Sequence, residues 1–152
     1  GVEPSCIACF RDEYPSLLNT SEAEMVAGQS FFFEEFIMEL VAQDELSLPF
    51  VEPEKHKTVK LHTHCYQKAF GTGGKVVAKL RLLPKTSDME KDSGCCGMAG
   101  SFGYQKEHYD INMAIGEQKI FPSIRDAASE TIIAAAGTSC RQQIKDGTER
   151  KA

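Results

Sequence analysis

The stretch Ser93-Gly94-Cys95-Cys96-Gly97-Met98-Ala99-Gly100-Ser101-Phe102-Gly103 places two adjacent cysteines between glycines. Neighbouring cysteines can hardly form a disulfide with each other without straining the peptide between them. The surrounding glycines allow the backbone to approach a bulky, charged group closely. The stretch therefore predicts a loop that offers two thiols to a ligand, and the rest of the chain is interpreted around it.

Composition limits the class of protein. The chain has 152 residues, of which 41% are hydrophobic and 26% charged, which is enough for one ordinary globular domain with its own core. The net charge of -5 argues against nucleic acid as the main partner, because phosphate contacts require a basic face. The basic residues between Lys75 and Lys85 are interpreted as a solvated surface.

The sequence also carries signals of its compartment. It contains no run of roughly 20 apolar residues and no export signal at its start, so we expect no transmembrane segment and a cytoplasmic location. Six cysteines in such a chain favour metal or redox chemistry over a secreted disulfide framework. The start at Gly1, without methionine and just before a cysteine motif, predicts a piece of a longer polypeptide.

Strand and helix patterns alternate from residue 58 onward. Strand patterns at residues 58–62, 86–91 and 131–136 are separated by helical patterns, which predicts an α/β fold. We expect an open parallel sheet flanked by helices in three layers, with ligand loops at the carboxyl edge of the strands.

Three further expectations concern helices. Pro15 is predicted to end or bend the first helix, and Pro122 to break a later one. A helix within residues 31–46 places apolar side chains at helical spacing, and we expect this stripe to pack in the core. Its members are Phe32, Phe33, Phe36, Ile37, Leu40 and Val41.

Four cysteines follow the predicted strands. Because parallel strands end at one edge of the sheet, Cys65, Cys95, Cys96 and Cys140 are expected to converge there. Cys65 and Cys140 should also begin helices, where the helix dipole lowers a thiol pKa and favours the thiolate that binds iron or zinc. The alternative is that these cysteines are buried and inert, but packing alone hardly explains an adjacent pair between two glycines.

Two histidines precede Cys65. His62 and His64 lie on the same face of an extended segment, so either could supply a nitrogen ligand or a hydrogen bond to a sulfur. For His62 we favour a strand-end residue with a satisfied hydrogen bond, whereas both interpretations stay open for His64. Cys9 lies almost one helical turn after Cys6, so it could share a site with Cys6 or be a small core residue.

Two segments of the chain repeat one another. Ser5-Cys6 stands before a helix that contains Arg11, and Ser139-Cys140 stands before a helix that starts at Arg141. The shared order of strand, turn, Ser-Cys and helix indicates an internal repeat.

Other chemistries explain the sequence less well. A Cys140 nucleophile with a His64 base would leave the double cysteine unexplained. The glycine-rich loop lacks the Lys-Ser/Thr of a phosphate loop and the dinucleotide fingerprint. Thiol–disulfide exchange between Cys95 or Cys96 and Cys140 is a further alternative, although none of these three cysteines belongs to a Cys-x-x-Cys helix motif.

The motifs Leu61-His62-Thr63-His64-Cys65, Gly94-Cys95-Cys96-Gly97 and Thr138-Ser139-Cys140 resemble the cysteine-rich "CCG" domain. That domain occurs in heterodisulfide reductase B-type subunits and in glycolate oxidase and lactate-utilisation iron–sulfur subunits. The closest resemblance is to the C-terminal part of fusions between an FAD-linked oxidase and an iron–sulfur oxidoreductase. Because members carry two CCG units, it implies that residues 1–50 hold the end of a first unit with connecting helices and residues 51–152 a complete second unit.

The resemblance also implies a function. It predicts an electron-transfer domain of a flavin-linked 2-hydroxy-acid oxidoreductase that holds a 4Fe-4S-type iron–sulfur cluster or zinc. The implied ligands are Cys65, Cys95, Cys96 and Cys140, with His64 as a nitrogen candidate and Cys6 as the last ligand of the preceding unit. The family pattern ends in Cys-x-x-Cys, whereas Gln143 occupies the place of the fifth cysteine here.

The implied partners lie outside this chain. FAD is expected on a separate oxidase domain or subunit, and a quinone or another carrier is expected as the electron acceptor, which would place the protein at the periphery of a membrane. Alone, the chain should not turn over a substrate. The alternative from another class is a structural zinc module that docks the flavin domain or a partner subunit.

Overall fold

A computed structural model describes residues 1–88 and 93–152, and within these residues three parallel strands form one sheet. The strands are β1 (Lys57–His62), β2 (Thr86–Asp88) and β3 (Ile132–Ala135), in the order β2-β1-β3. They match the three predicted strands, although the predicted continuation of β2 through residues 89–91 lies outside the described residues.

Strand β1 occupies the centre and fixes the register of its neighbours. Lys57 lies opposite Thr86 at its start, and His62 lies opposite Ala135 at its end. Both pairings are parallel, so the carboxyl ends of β1 and β3 are level. Loops that follow these two strands therefore begin side by side at one edge of the sheet.

Helices cover both faces of this sheet, and four of the described helices precede its first strand in the chain. Within the described ranges they are α1 (Pro4–Ala8), α2 (Tyr14–Leu18), α3 (Ser21–Gly28), α4 (Phe33–Ala42), α5 (Cys65–Ala69), α6 (Gly73–Arg81), α7 (Tyr109–Gln118), α8 (Ile120–Arg125) and α9 (Thr138–Thr148). None of them is long and apolar enough to cross a membrane.

Two apolar cores separate the layers. On one face of the sheet, Leu61 of β1 packs with Val76 and Val77 of α6. On the other face, side chains of β3, α8, α9 and the double-cysteine loop form a second buried cluster, which comprises Cys96, Met98, Ile120, Phe121, Ile124, Ile133, Cys140 and Ile144. The expected α/β fold, with a parallel sheet between helical layers, is thus confirmed.

The first helical segment does not end at Pro15. A π-helical turn, Cys9–Glu13, joins α1 to α2, and helical backbone continues to Leu18 before Asn19 adopts φ +50°. A π-turn widens the helix and can accommodate a proline that has no N–H to donate. Of the two expected effects of Pro15, an end of the helix was wrong, and the departure from regular α-helix is the π-turn just before the proline.

The later break falls at Lys119 rather than at Pro122. Lys119 has φ -146° and separates α7 from α8, whereas Pro122 lies in the first turn of α8. A proline is tolerated there because the first N–H groups of a helix have no partner within it. A break in this helical segment was predicted correctly, but it lies at Lys119 and not at Pro122.

The aromatic stripe of α4 is only partly buried. Phe32 is 1% exposed, whereas Phe33 and Phe36 are 37% and 48% exposed. The expectation that the whole stripe packs in the core was wrong. The helix is held instead by Glu35, a buried carboxylate that accepts from the Phe32 N–H at 3.1 Å and contacts Lys75 at 3.7 Å.

Arg11 joins the π-turn to the elements that follow. Its guanidinium donates to Glu35 at 2.6 Å and lies 5.2 Å from the ring centre of Phe32 and 4.8 Å from that of Phe70. The planar guanidinium can make a hydrogen bond and two ring contacts at once, which a lysine cannot do. This contact couples residues 1–50 to the sheet-bearing part of the chain.

Substitution Arg11→Lys tests this coupling. We expect it to lower the free energy of unfolding by about 1–3 kcal/mol, because the stacking and the directed hydrogen bond to a buried carboxylate are lost while the charge stays. Urea unfolding followed by circular dichroism measures the change. The matched control is Arg141→Lys on the exposed start of α9, and equal effects of the two substitutions would contradict the coupling.

Candidate metal centre

A cavity of about 360 Å³ opens at the carboxyl edge of the sheet. Its wall brings together six side chains that can ligate a metal, namely Cys65, Cys95, Cys96, Cys140, His62 and His64. The four cysteines that follow the predicted strands thus share one cavity.

Each strand end delivers a different part of the wall. Cys65 is the first residue of α5, directly after the turn that follows β1, and Cys140 lies in the first turn of α9, after β3. Cys95 and Cys96 come from the loop between β2 and α7. The parallel topology is the reason that sulfurs far apart in sequence meet.

Three of the sulfurs, those of Cys95, Cys96 and Cys140, form a row along the cavity wall, and the Cys96 and Cys140 sulfurs lie within 4.8 Å of each other. The interaction with the Cys96 side chain raises the pKa of Cys95 well above its ordinary value, with burial as a second cause. The interaction with the Cys140 side chain, with burial, raises the pKa of Cys96 to about 11.

Cys65 does not behave as its place at a helix start predicted. Burial raises its pKa above the ordinary thiol value, and bonds from backbone N–H groups and the charge of Lys68 offset this only in part. The expectation that a helix N-terminus favours the thiolate at Cys65 was therefore wrong for the metal-free protein. Cys65 is an exposed residue, but the cavity wall partly shields its sulfur, and this loss of water outweighs the backbone hydrogen bonds and the charge of Lys68.

Alkylation of the metal-free protein with iodoacetamide over a range of pH tests these thiol shifts. Only the thiolate reacts, so a raised pKa moves the inflection of the rate profile to higher pH. We expect this shift at Cys65 and Cys95, which are both exposed to the reagent, relative to the same residues in urea. Peptide mass spectrometry reports each residue separately, and an inflection at or below the urea value would contradict the stated shifts.

His62 and His64 have different roles at the cavity. The Nδ1 atom of His62 lies 2.7 Å from the Ser93 hydroxyl, and burial lowers the pKa of its ring to about 4. A ring nitrogen of His62 and the sulfurs of Cys96 and Cys140 all lie within 4.8 Å of one another. His62 thus has the expected strand-end hydrogen bond and also belongs to a compact donor cluster.

His64, which the sequence favoured over His62 as a nitrogen ligand, caps a helix. Its Nδ1 accepts from the Tyr66 N–H at 3.2 Å, and the backbone N–H of His64 donates to the side-chain oxygen of Gln67 at 3.1 Å. The ring packs on Gly137, where an added Cβ would lie 2.3 Å from the imidazole. His64 positions the start of α5, and with it Cys65.

The two N-terminal cysteines lie apart from the cavity wall. Cys6 is exposed, and Cys9 is partly exposed in the π-turn, where a bond to Glu13 raises its thiol pKa. The N-terminus still reaches the site, because Glu3 accepts from the backbone N–H of Thr138 at 2.9 Å and Ser5 contributes to the wall.

The double-cysteine loop is held by a close backbone approach. Gly97 has φ +91°, and a Cβ there would lie 2.2 Å from the carbonyl oxygen of Asn112. Any other residue would meet both the backbone strain and this collision. This close approach holds the loop against the backbone of α7 and places the neighbouring Cys96 in the buried cluster.

Gln143 has a structural role that the sequence did not reveal. It is 2% exposed, and its Nε2 donates to Asn112 Oδ1 at 2.6 Å, while Asn112 donates to the Gly103 carbonyl at 2.7 Å. Gln143 therefore anchors the glycine-rich loop between α7 and α9. Its only sequence signal was a polar residue on the apolar face of a helix.

Substitution Gln143→Ala should destabilise the protein by about 1–3 kcal/mol, because it leaves the buried amide oxygen of Asn112 without its donor. Denaturant unfolding measures this change. The adjacent Gln142→Ala is the control, since Gln142 bonds only to Asp146 on the exposed side of α9. Similar midpoints for the two variants would argue against an anchoring role.

The fold and the cavity define a class: a parallel α/β domain with a thiol-rich site at the carboxyl edge of its sheet. Comparison with known proteins finds similar chains among dehydrogenases. The chain is 29% identical over 144 residues to one of the subunits of the anaerobic glycerol-3-phosphate dehydrogenase of Escherichia coli K12. It is 28% identical over 156 residues to D-2-hydroxyglutarate dehydrogenase of Pseudomonas putida KT2440, and 25% identical over 148 residues to that of Pantoea ananatis AJ13355.

These similarities cover nearly all of this chain but a minor part of each relative. They span 95% of the chain and 35% of the glycerol-3-phosphate dehydrogenase polypeptide, and 99% of the chain and 14% of the Pseudomonas dehydrogenase. No family model matches the chain, and no solved structure matches it. The relatives are dehydrogenases, so the similarity supports a redox setting for the cavity.

Proposed function

We propose that this chain is an electron-transfer domain of a flavin-linked 2-hydroxy-acid oxidoreductase and that it holds an iron–sulfur cluster. The observation that carries the proposal is the convergence of Cys65, Cys95, Cys96 and Cys140 on one cavity. Four thiols in such a position fit a thiolate-bound group better than a hydrolytic or nucleotide site, because clusters and zinc are held by sulfur.

The donor set fits the proposed group in two respects. The Cys96 and Cys140 sulfurs lie within 4.8 Å of each other and Cys95 lines the same cavity, so the three sulfurs can turn to one centre. Lys68, which donates to the Gly94 carbonyl at 2.9 Å, adds a positive charge beside the loop. An iron–sulfur cluster, when bound, supplies one-electron transfer, and the chain supplies ligands, burial and charge balance.

The same proposal assigns residues 1–50 to the end of a preceding unit and residues 51–152 to a complete one. In support, Cys6 and Cys140 occupy the same position, the third residue, of α1 and α9. Cys6 is then a ligand of a cluster in the preceding unit. Its exposure agrees with a partner surface that lies outside the present chain.

The names of the relatives support the reaction class. The D-2-hydroxyglutarate in the name of two relatives is a 2-hydroxy acid. The Escherichia coli relative is named as a subunit of a glycerol-3-phosphate dehydrogenase, so it supports oxidation of a secondary alcohol and a division of the enzyme into subunits. We infer that FAD on another domain or subunit oxidises the substrate and that electrons pass through this cavity to a quinone or another carrier. A quinone acceptor would bring the protein to a membrane surface.

A structural zinc site is the second candidate. The compact group of His62, Cys96 and Cys140 favours it, because a nitrogen and two or more sulfurs are a common zinc set. In that case the domain docks the flavin domain or a partner subunit and carries no electrons.

Anaerobic reconstitution with iron and sulfide, followed by metal analysis, visible absorbance and EPR, tests the proposal. We expect a brown protein with stoichiometric iron and a reducible EPR signal. Cys96→Ser should lose the cluster or change its spectrum, because Cys96 is the middle sulfur of the row. Cys9→Ser, away from the cavity wall, should leave both unchanged.

A colourless protein with stoichiometric zinc would favour the structural alternative. A chain that binds neither iron nor zinc, and whose stability is unchanged by Cys96→Ser, would refute a metal centre of either kind.

A further inference from the structure

His62 ends the central strand and points into the sulfur row. The residue is 3% exposed, and Cys96 and Cys140 beside it are 6% and 2% exposed. The three ligand atoms lie within 4.8 Å of one another and come from β1, the double-cysteine loop and α9. Zinc–ligand bond lengths imply separations of about 3.5–3.8 Å in a tetrahedral site, so a small inward movement suffices.

The imidazole of His62 is oriented as a ligating ring usually is. Its Nδ1 is held by the Ser93 hydroxyl at 2.7 Å, which leaves Nε2 as the nitrogen for a metal. Histidine ligands commonly have such a hydrogen bond from the other ring nitrogen, since it fixes the tautomer and the direction of the lone pair.

The family pattern would place a further thiol ligand at residue 143 on α9, but this chain has no cysteine there. Gln143 stands there, and its amide is engaged by Asn112 at 2.6 Å. The Nδ1 atom of His64 is also engaged, because it accepts from the Tyr66 N–H and lies 3.7 Å from the Cys65 sulfur. Among the described histidine and cysteine side chains, His62 is the nitrogen donor that forms a compact group with cavity sulfurs.

We infer that His62 is a protein ligand of the group bound in the cysteine cavity and acts through Nε2 beside Cys96 and Cys140. The inference rests on the proposed function, because it requires that a metal or cluster binds there. It assigns this chain a mixed nitrogen and sulfur centre. A neutral imidazole in place of a thiolate makes the centre less negative by one charge, which raises its reduction potential relative to an all-thiolate centre.

Two measurements on the untagged chain test the ligand set, the first for nitrogen and the second for sulfur and coordination geometry. Pulsed EPR of the reduced, iron-reconstituted protein should show ¹⁴N coupling of the imidazole type. Titration of the metal-free protein with Co²⁺ should give tetrahedral ligand-field bands together with sulfur-to-cobalt charge transfer. Neither readout depends on enzymatic activity.

Variants separate a ligand from a structural histidine. His62→Ala should remove the ¹⁴N coupling and weaken Co²⁺ binding at least 10–100-fold, the range seen when groups that support a ligand are removed. His62→Cys should restore tight binding with stronger charge transfer but without the coupling, so a folding defect cannot explain both results. His64→Asn keeps a helix-capping side chain and should retain the coupling.

The outcomes distinguish the inference from the proposed function. A wild-type chain that binds neither iron nor Co²⁺ would refute the proposed function and, with it, the ligand. A wild-type chain that binds iron but shows no imidazole coupling would overturn the role of His62 alone. Imidazole coupling that persists in His62→Cys and disappears in His64→Asn would assign the nitrogen to His64 instead.

Discussion

The site depends on the parallel pairing of β1 with β3. With His62 opposite Ala135, both strands end at the same level, and the segments that follow them must run side by side. A one-residue shift in this register would move His62 to the other face of the sheet and separate it from Cys140. The alternation of Val59 and Leu61 with the more polar residues of β1 fixes the register, because both are buried at 5% exposure. Core packing therefore determines which side chains reach the cavity.

The double-cysteine loop needs a different constraint, because no helix or long strand carries it. It is positioned by side chains of α7 and α9. Asn112 meets the loop twice, through its backbone carbonyl at Gly97 and through its amide at the Gly103 carbonyl. Gln143 completes the contact from α9. A buried amide pair is favourable here because every polar group in it has a partner, and it fixes a loop that hydrophobic contacts alone would leave free to slide.

Much of the fold followed from the sequence because it depends on local patterns. The strands, the alternation of elements and the convergence of four cysteines come from residue periodicity and the general geometry of parallel sheets. The failures have tertiary causes. Pro15 is accommodated by a π-turn, and the exposed rings of Phe33 and Phe36 show that helical periodicity does not state which stripe finds a partner. The roles of His62 and Gln143 depend on their hydrogen-bond partners, Ser93 and Asn112, and residue spacing in the sequence does not predict these partners.

The protonation states of the cavity explain why it should favour a cation. Burial raises the pKa of Cys65, contributes to the raised values of Cys95 and Cys96, and lowers that of His62, so every shift opposes charge. Adjacent thiolates in this cavity would repel one another and would lack the water that stabilises them outside it. A metal centre reverses both penalties at once, because it replaces the thiol protons with positive charge at the point where the sulfurs meet. A neutral imidazole reduces the negative charge that remains, so the burial that opposes thiolates also favours a mixed nitrogen and sulfur donor set.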